Sequence, residues 1–227
     1  MNNRFLMTVM LCAATLGAKE AANQRLESAA TAFQEIMGAD DKAIPQKLLD
    51  KAECVIIAPS VKSGAFIFGA KYGKGFVLCR GEKGVGWSAP GAIRMEGGSF
   101  GFQIGGSGTD IFMLIMNRRG AEKLVKTSKF TLGGEMAAVA GPVGRNSTAQ
   151  TDALMNAQIL SYSRSRGIFG GISLSAGTLR QDLEDNRQMY NKTIENYEIV
   201  LDRKAEPNAE GKKLIDLLNK YSSRKSE

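Results

Sequence analysis

The chain has 227 residues, 43% of them apolar, a formal net charge of +7 and no histidine. That apolar share is enough for one sizeable core. The missing imidazole excludes Ser-His-Asp and Cys-His catalysis and every histidine-ligated metal. The few acids between the strands, Glu82, Glu96, Asp110 and Glu135, sit among glycines as ordinary turn residues, so no enzyme and no cofactor is expected.

The first residues have the three parts of a secretory signal. Met1–Arg4 is a short basic start, Phe5–Leu11 is apolar, and Ala13–Ala18 is rich in small residues. The apolar run is shorter than the roughly 20 residues that a spanning helix needs. The reading is a signal peptide over 1–18 and an exported protein, periplasmic or extracellular. Its removal takes away Cys12 and leaves Cys54 and Cys79. In an exported chain that pair is either one disulfide or two buried free thiols.

Ala22, Leu26, Ala29, Ala30, Phe33, Ile36 and Met37 recur at helical spacing until Gly38, predicting a helix over Lys19–Met37. A second short helix opens at Ile44-Pro45. From Cys54 the period changes to that of strands: Cys54–Ala58, Ala65–Tyr72, Gly75–Arg80, Ser99–Gly105 and Ile111–Met116. The run Tyr72-Gly73-Lys74-Gly75 reads as a turn. Ile111–Met116 is apolar throughout, as in a strand buried on both faces beneath a helix. Asn117 caps a predicted helix over Arg118–Lys126, with Leu124 and Val125 facing inward. Short strands follow at Phe130–Leu132 and Met136–Ala140, then a hairpin over 154–163 and 167–176 that carries Arg164 and Arg166 near its tip. Leu183, Tyr190, Ile194, Tyr197 and Leu201 form one long helical stripe, predicted as a helix over 180–203. After Pro207 a last amphipathic helix or tail, 207–227, carries Leu214, Leu217, Leu218 and Tyr221.

The fold class is therefore α+β. One domain over 19–200 has a helical start at 19–50 and a β-rich core at 54–176. Its curved, largely antiparallel, barrel-like sheet packs with N- and C-terminal helices.

The excess charge lies in the middle of the chain, where residues 54–150 hold twelve basic and five acidic side chains. A surface of that sign attracts anionic partners. The candidate lipid-binding residues are Lys62, Lys71, Lys74, Arg80, Arg164 and Arg166. Nucleic acid is not expected, because no aromatic and basic platform is present.

Several strings resemble the SYLF domain family and follow its order over about residues 25–195. They are Lys51–Ser60, Gly69–Gly75, Trp87–Pro90, Gly97–Gly106, Phe130–Gly133, Ala140–Arg145 and Ser161–Gly171. The resemblance implies a non-enzymatic module that binds anionic phospholipid, and actin in yeast members. An N-terminal amphipathic helix carries the membrane contact in some members. Here the matching helix has only Lys19 and Arg25 against Glu20, Glu27 and Glu35. Membrane association is therefore assigned to the basic central region. The alternative is a structural or protein-interaction role in the cell envelope, in which the last helix engages a partner or a second copy.

Overall fold

The computed structural model describes residues 3–39, 43–63, 71–81, 84–97, 99–100, 108–144, 157–165, 167–175 and 177–222, with backbone alone for 3–20, 63, 71, 99–100 and 175. Helix α1 runs Asn3–Gly38, and α2 spans Gln46–Lys51. Strands β1 (Cys54–Ser63), β2 (Lys71–Cys79), β3 (Gly91–Glu96), β4 (Ser99–Phe100) and β5 (Thr109–Ile115) follow. Next come α3 (Arg118–Lys126), β6 (Phe130–Thr131), β7 (Ala138–Ala140), β8 (Ile159–Ser165), β9 (Ile168–Gly171), β10 (Leu174–Ser175) and β11 (Thr178–Gln181). The chain closes with α4 (Leu183–Tyr190), α5 (Asn196–Val200) and α6 (Ala209–Tyr221).

All strands join one curled sheet in the order β4-β10-β7-β8-β5-β1-β2-β3-β11-β6, with β9 added to β8. Among the described residues every strand pairing is antiparallel except β7 with β8. Side chains alternate across the strands, so the sheet has two buried faces. Val55, Ile57, Phe76, Leu78, Phe112 and Leu114 share one cluster with the apolar stripe of α1 and with Leu214 and Leu218 of α6. Ile56, Val77, Met113 and Ile115 share the other with Leu124 and Val125 of α3 and Ile199 and Val200 of α5. The α3 reading holds to the residue: the Asn117 side chain accepts the Gly120 N–H at 2.8 Å.

Three expectations change. Residues 72–75 are not a turn, because β2 passes straight through them. Gly73 and Gly75 serve close approach instead. A Cβ on Gly75 would sit 2.3 Å from the Ile57 carbonyl, and one on Gly73 would sit 2.6 Å from Val61 Cγ2. There β1 bulges, with a register shift between Ala58 and Val61 and Ser60 at φ 52°. The helix expected over 180–203 is interrupted: Asn191 takes the left-handed conformation at φ 54°, and a capping box of Glu195 and Glu198 starts α5. The last helix is no free tail. Leu214 and Leu218 are fully buried and α6 lies along α1, so the apolar stripe of the last helix packs on the domain itself as part of its core. Residues 65–70, 101–105, 154–156 and 176 of the expected strands lie outside the described residues, as does Arg166 of the hairpin tip.

Candidate binding surface

The six candidate cations do not share one environment. Arg80 is wholly buried: it donates from Nε to the Ala52 carbonyl at 2.9 Å and from Nη2 to the Leu49 and Ser222 carbonyls at 3.3 and 3.1 Å. Its guanidinium lies 4.2 Å from the Trp87 ring centroid. It is a structural cation and no ligand for a head group. Lys74 is likewise committed inward, with Nζ 2.8 Å from Asp182 and 2.9 Å from Asp185. Arg25 of α1 closes the cluster on Asp185 at 2.6 Å. Burial pulls the Lys74 ammonium down, but hydrogen bonds to Asp182 and Asp185 outweigh it and hold the group above its ordinary range.

Arg164 lies on β8 opposite Asp110 of β5 and clasps its carboxylate from Nε at 2.9 Å and Nη2 at 2.8 Å. Glu35 of α1 takes its third corner. Burial raises the Asp110 carboxyl, partly offset by the Ser60 N–H, and burial lowers the Arg164 guanidinium. The arginine is neutralised in place, beside an open polar groove of about 820 Å³ between α1 and the strand ends.

Lys62 is exposed, at the end of β1 opposite Tyr72. The side chains of Lys71 and Arg166 lie outside the described residues, although Lys71 opens β2 opposite Ser63. The register brings several ends together on one rim of the sheet: Lys62 with Tyr72, Val61 with Thr109, Asp110 with Arg164, and Ser165 with Ile168. Two large apolar side chains stand out into solvent there, Tyr72 at 50% and Ile168 at 66% exposure.

At the opposite end of β5 the helix α3 carries a second basic surface, absent from the candidate set. Arg119, Lys123, Lys126 and, just beyond, Lys129 are all exposed, while Ala121, Leu124 and Val125 face the core. The signal was in the sequence, as cations at i, i+4 and i+7 opposite an apolar stripe. Among the described residues no group of three or more metal-ligating side chains occurs, and no helix is long and apolar enough to cross a membrane. Cys54 and Cys79, direct cross-strand neighbours, are joined as a disulfide.

A helix-flanked, curled, largely antiparallel sheet defines an α+β class of protein. The chain belongs to the Ysc84 family, whose model, described as Las17-binding protein actin regulator, matches residues 96–221. It is similar to SH3 domain-containing YSC84-like protein 1 of Rattus norvegicus, 34% identical over 184 residues, which cover 81% of this chain and 53% of that protein. The Homo sapiens counterpart is 33% identical over the same shares. LAS seventeen-binding protein 3 of Saccharomyces cerevisiae is 35% identical over 159 residues, 69% of this chain and 34% of that protein. The chain thus spans about half, or less, of the length of these relatives, which are named for binding and for SH3 domains. Among solved structures, a beta-barrel-like protein from Brucella abortus aligns with a TM-score of 0.35 and 17% identity, over 69% of this chain and 92% of its own. At that score the likeness adds nothing to the strand pairing.

Proposed function

We propose that this chain is a non-enzymatic module that attaches to anionic phospholipid surfaces through the rim formed by the ends of β1, β2, β8 and β9. The observation that carries the reading is the exposure of Tyr72 opposite Lys62, with Ile168 exposed at the hairpin end of the same rim. Lys71 and Arg166 are close to these residues in sequence and add to the positive charge. Each cation contributes about 1 kcal/mol near an anionic surface, and burying the Ile168 side chain contributes about 2 kcal/mol. The total, about 5 kcal/mol, corresponds to weak, sub-millimolar and salt-sensitive adsorption. Export through residues 1–18 belongs to the same reading, and the joined cysteines support an oxidising compartment. N-terminal sequencing of protein recovered from the cell envelope tests that part.

Co-sedimentation with phosphatidylcholine vesicles, and with the same vesicles holding one quarter phosphatidylglycerol, tests the docking. Binding to the anionic vesicles alone, falling between 50 and 300 mM salt, is expected. Equal binding to both vesicle types contradicts it.

A further inference from the structure

We propose that the outer face of α3 is a separate docking surface for an acidic protein segment. Four cations, Arg118, Arg119, Lys123 and Lys126, stand on this helix against one carboxylate, Glu122. Glu122 is shared between Arg118 at 3.1 Å and Lys126 at 4.0 Å, and Glu135 reaches Lys123 only at 3.8 Å. Arg119 forms no ion pair among the described residues and is exposed. The face therefore keeps an uncompensated positive charge.

Three features select the occupant. None of the exposed large apolar side chains among the described residues lies on α3, so the face offers nothing to insert into a bilayer. Nor does an exposed aromatic stand there for bases to stack on. Beside the helix, a groove of about 320 Å³ opens toward the turn Gly133–Met136 and is lined by Asn117, Arg119, Lys123, Glu135 and Gln158. That turn comes close because Gly120 lacks a side chain, since a Cβ there would sit 2.4 Å from Met136 Cε. The step from Arg119 to Lys123 is about 6 Å along the helix axis, and an extended chain repeats its side chains on one face about every 6.6 Å. Alternate carboxylates of an extended acidic segment thus meet successive cations, and Arg119 offers a bidentate fork. The surface lies at the opposite end of β5 from the rim, so both can be occupied at once.

Fluorescence anisotropy of the full chain with a labelled decaglutamate peptide tests the proposal. Substituting R119E, K123E and K126E together should weaken binding at least tenfold, and the charge-neutral R119Q, K123Q, K126Q set by an intermediate factor. K212E with K213E, an exposed pair on α6, should change it less than twofold. Sedimentation of the triple variant with anionic vesicles should stay as in the unsubstituted chain, which separates this proposal from the rim reading. Equal weakening by the α6 control overturns it, since only net charge would then matter. Tighter binding of polythymidine than of the peptide, lost in the triple variant, assigns the face to nucleic acid and overturns it too. So does loss of vesicle binding together with peptide binding in the triple variant.

Discussion

Arg80 donates a hydrogen bond to the main-chain carbonyl of Ser222 at 3.1 Å, across 142 residues of sequence. That contact fastens the end of α6 to the end of β2, and the same guanidinium reaches the Leu49 carbonyl at the end of α2. One buried cation thus ties three elements together. Arg80→Ala strips the Ala52 and Ser222 carbonyls of this donor and should cost about 3 kcal/mol in a urea unfolding titration. A chain ending at Glu206 should unfold at still lower urea, because it also uncovers the α1 stripe.

The alkaline limb of stability has a definite sign. Lys74 and the buried phenols of Tyr162 and Tyr190 are all held above their ordinary ranges, the lysine by its two aspartates and the phenols by burial. A raised folded-state value means stability that is complete below the unfolded value, about 10 for both groups, and lost as pH rises through the folded one. Unfolding free energy should therefore be level from neutral pH to about 10 and fall above it. Tyr162→Phe should flatten that fall. Its hydroxyl is buried with no hydrogen-bond partner among the described residues, so the change should also raise stability at neutral pH, by about 1 kcal/mol.

The disulfide closes a separation of 25 residues between neighbouring central strands. Replacing both cysteines by alanine should lower stability by about 3 kcal/mol on the loop-closure estimate. Both sulfurs are fully buried, so dithiothreitol should release thiols slowly from the native protein and quickly in urea. Thiol titration over time follows this directly.

Gly75→Ala places a methyl against the Ile57 carbonyl, where no flexible side chain can yield. Thermal unfolding should show a loss of about 3 kcal/mol.

Local signals carried most of the fold. The stripe of α1, the Asn117 cap and the apolar run Ile111–Ile115 of β5 are each legible within a dozen residues. Strand β2 is not, because two glycines that serve close approach look the same in sequence as two that serve a turn. Strands β3 and β11 pair with each other and show no clean alternation, so neither stood out. The site was less legible for a physical reason. A lysine or arginine in a strand faces water unless a partner distant in sequence draws it in, and Lys74 meets its Asp185 across 111 residues. No local pattern encodes that choice. The α3 cations, by contrast, are encoded locally, at i, i+4 and i+7 opposite an apolar stripe.

In the proposed function the rim of β1, β2, β8 and β9 meets an anionic bilayer, and a reporter at Ile168→Trp would watch that contact. The native Trp87 is buried against Arg80 and stays silent, so any change on adding lipid reports position 168. With phosphatidylglycerol vesicles carrying brominated acyl chains, the added indole should shift to the blue and be quenched, and the effect should vanish with Lys62→Glu or at 300 mM salt. Vesicles that sediment with the protein while that emission stays unshifted and unquenched would contradict the account, because the membrane would then be held by another face.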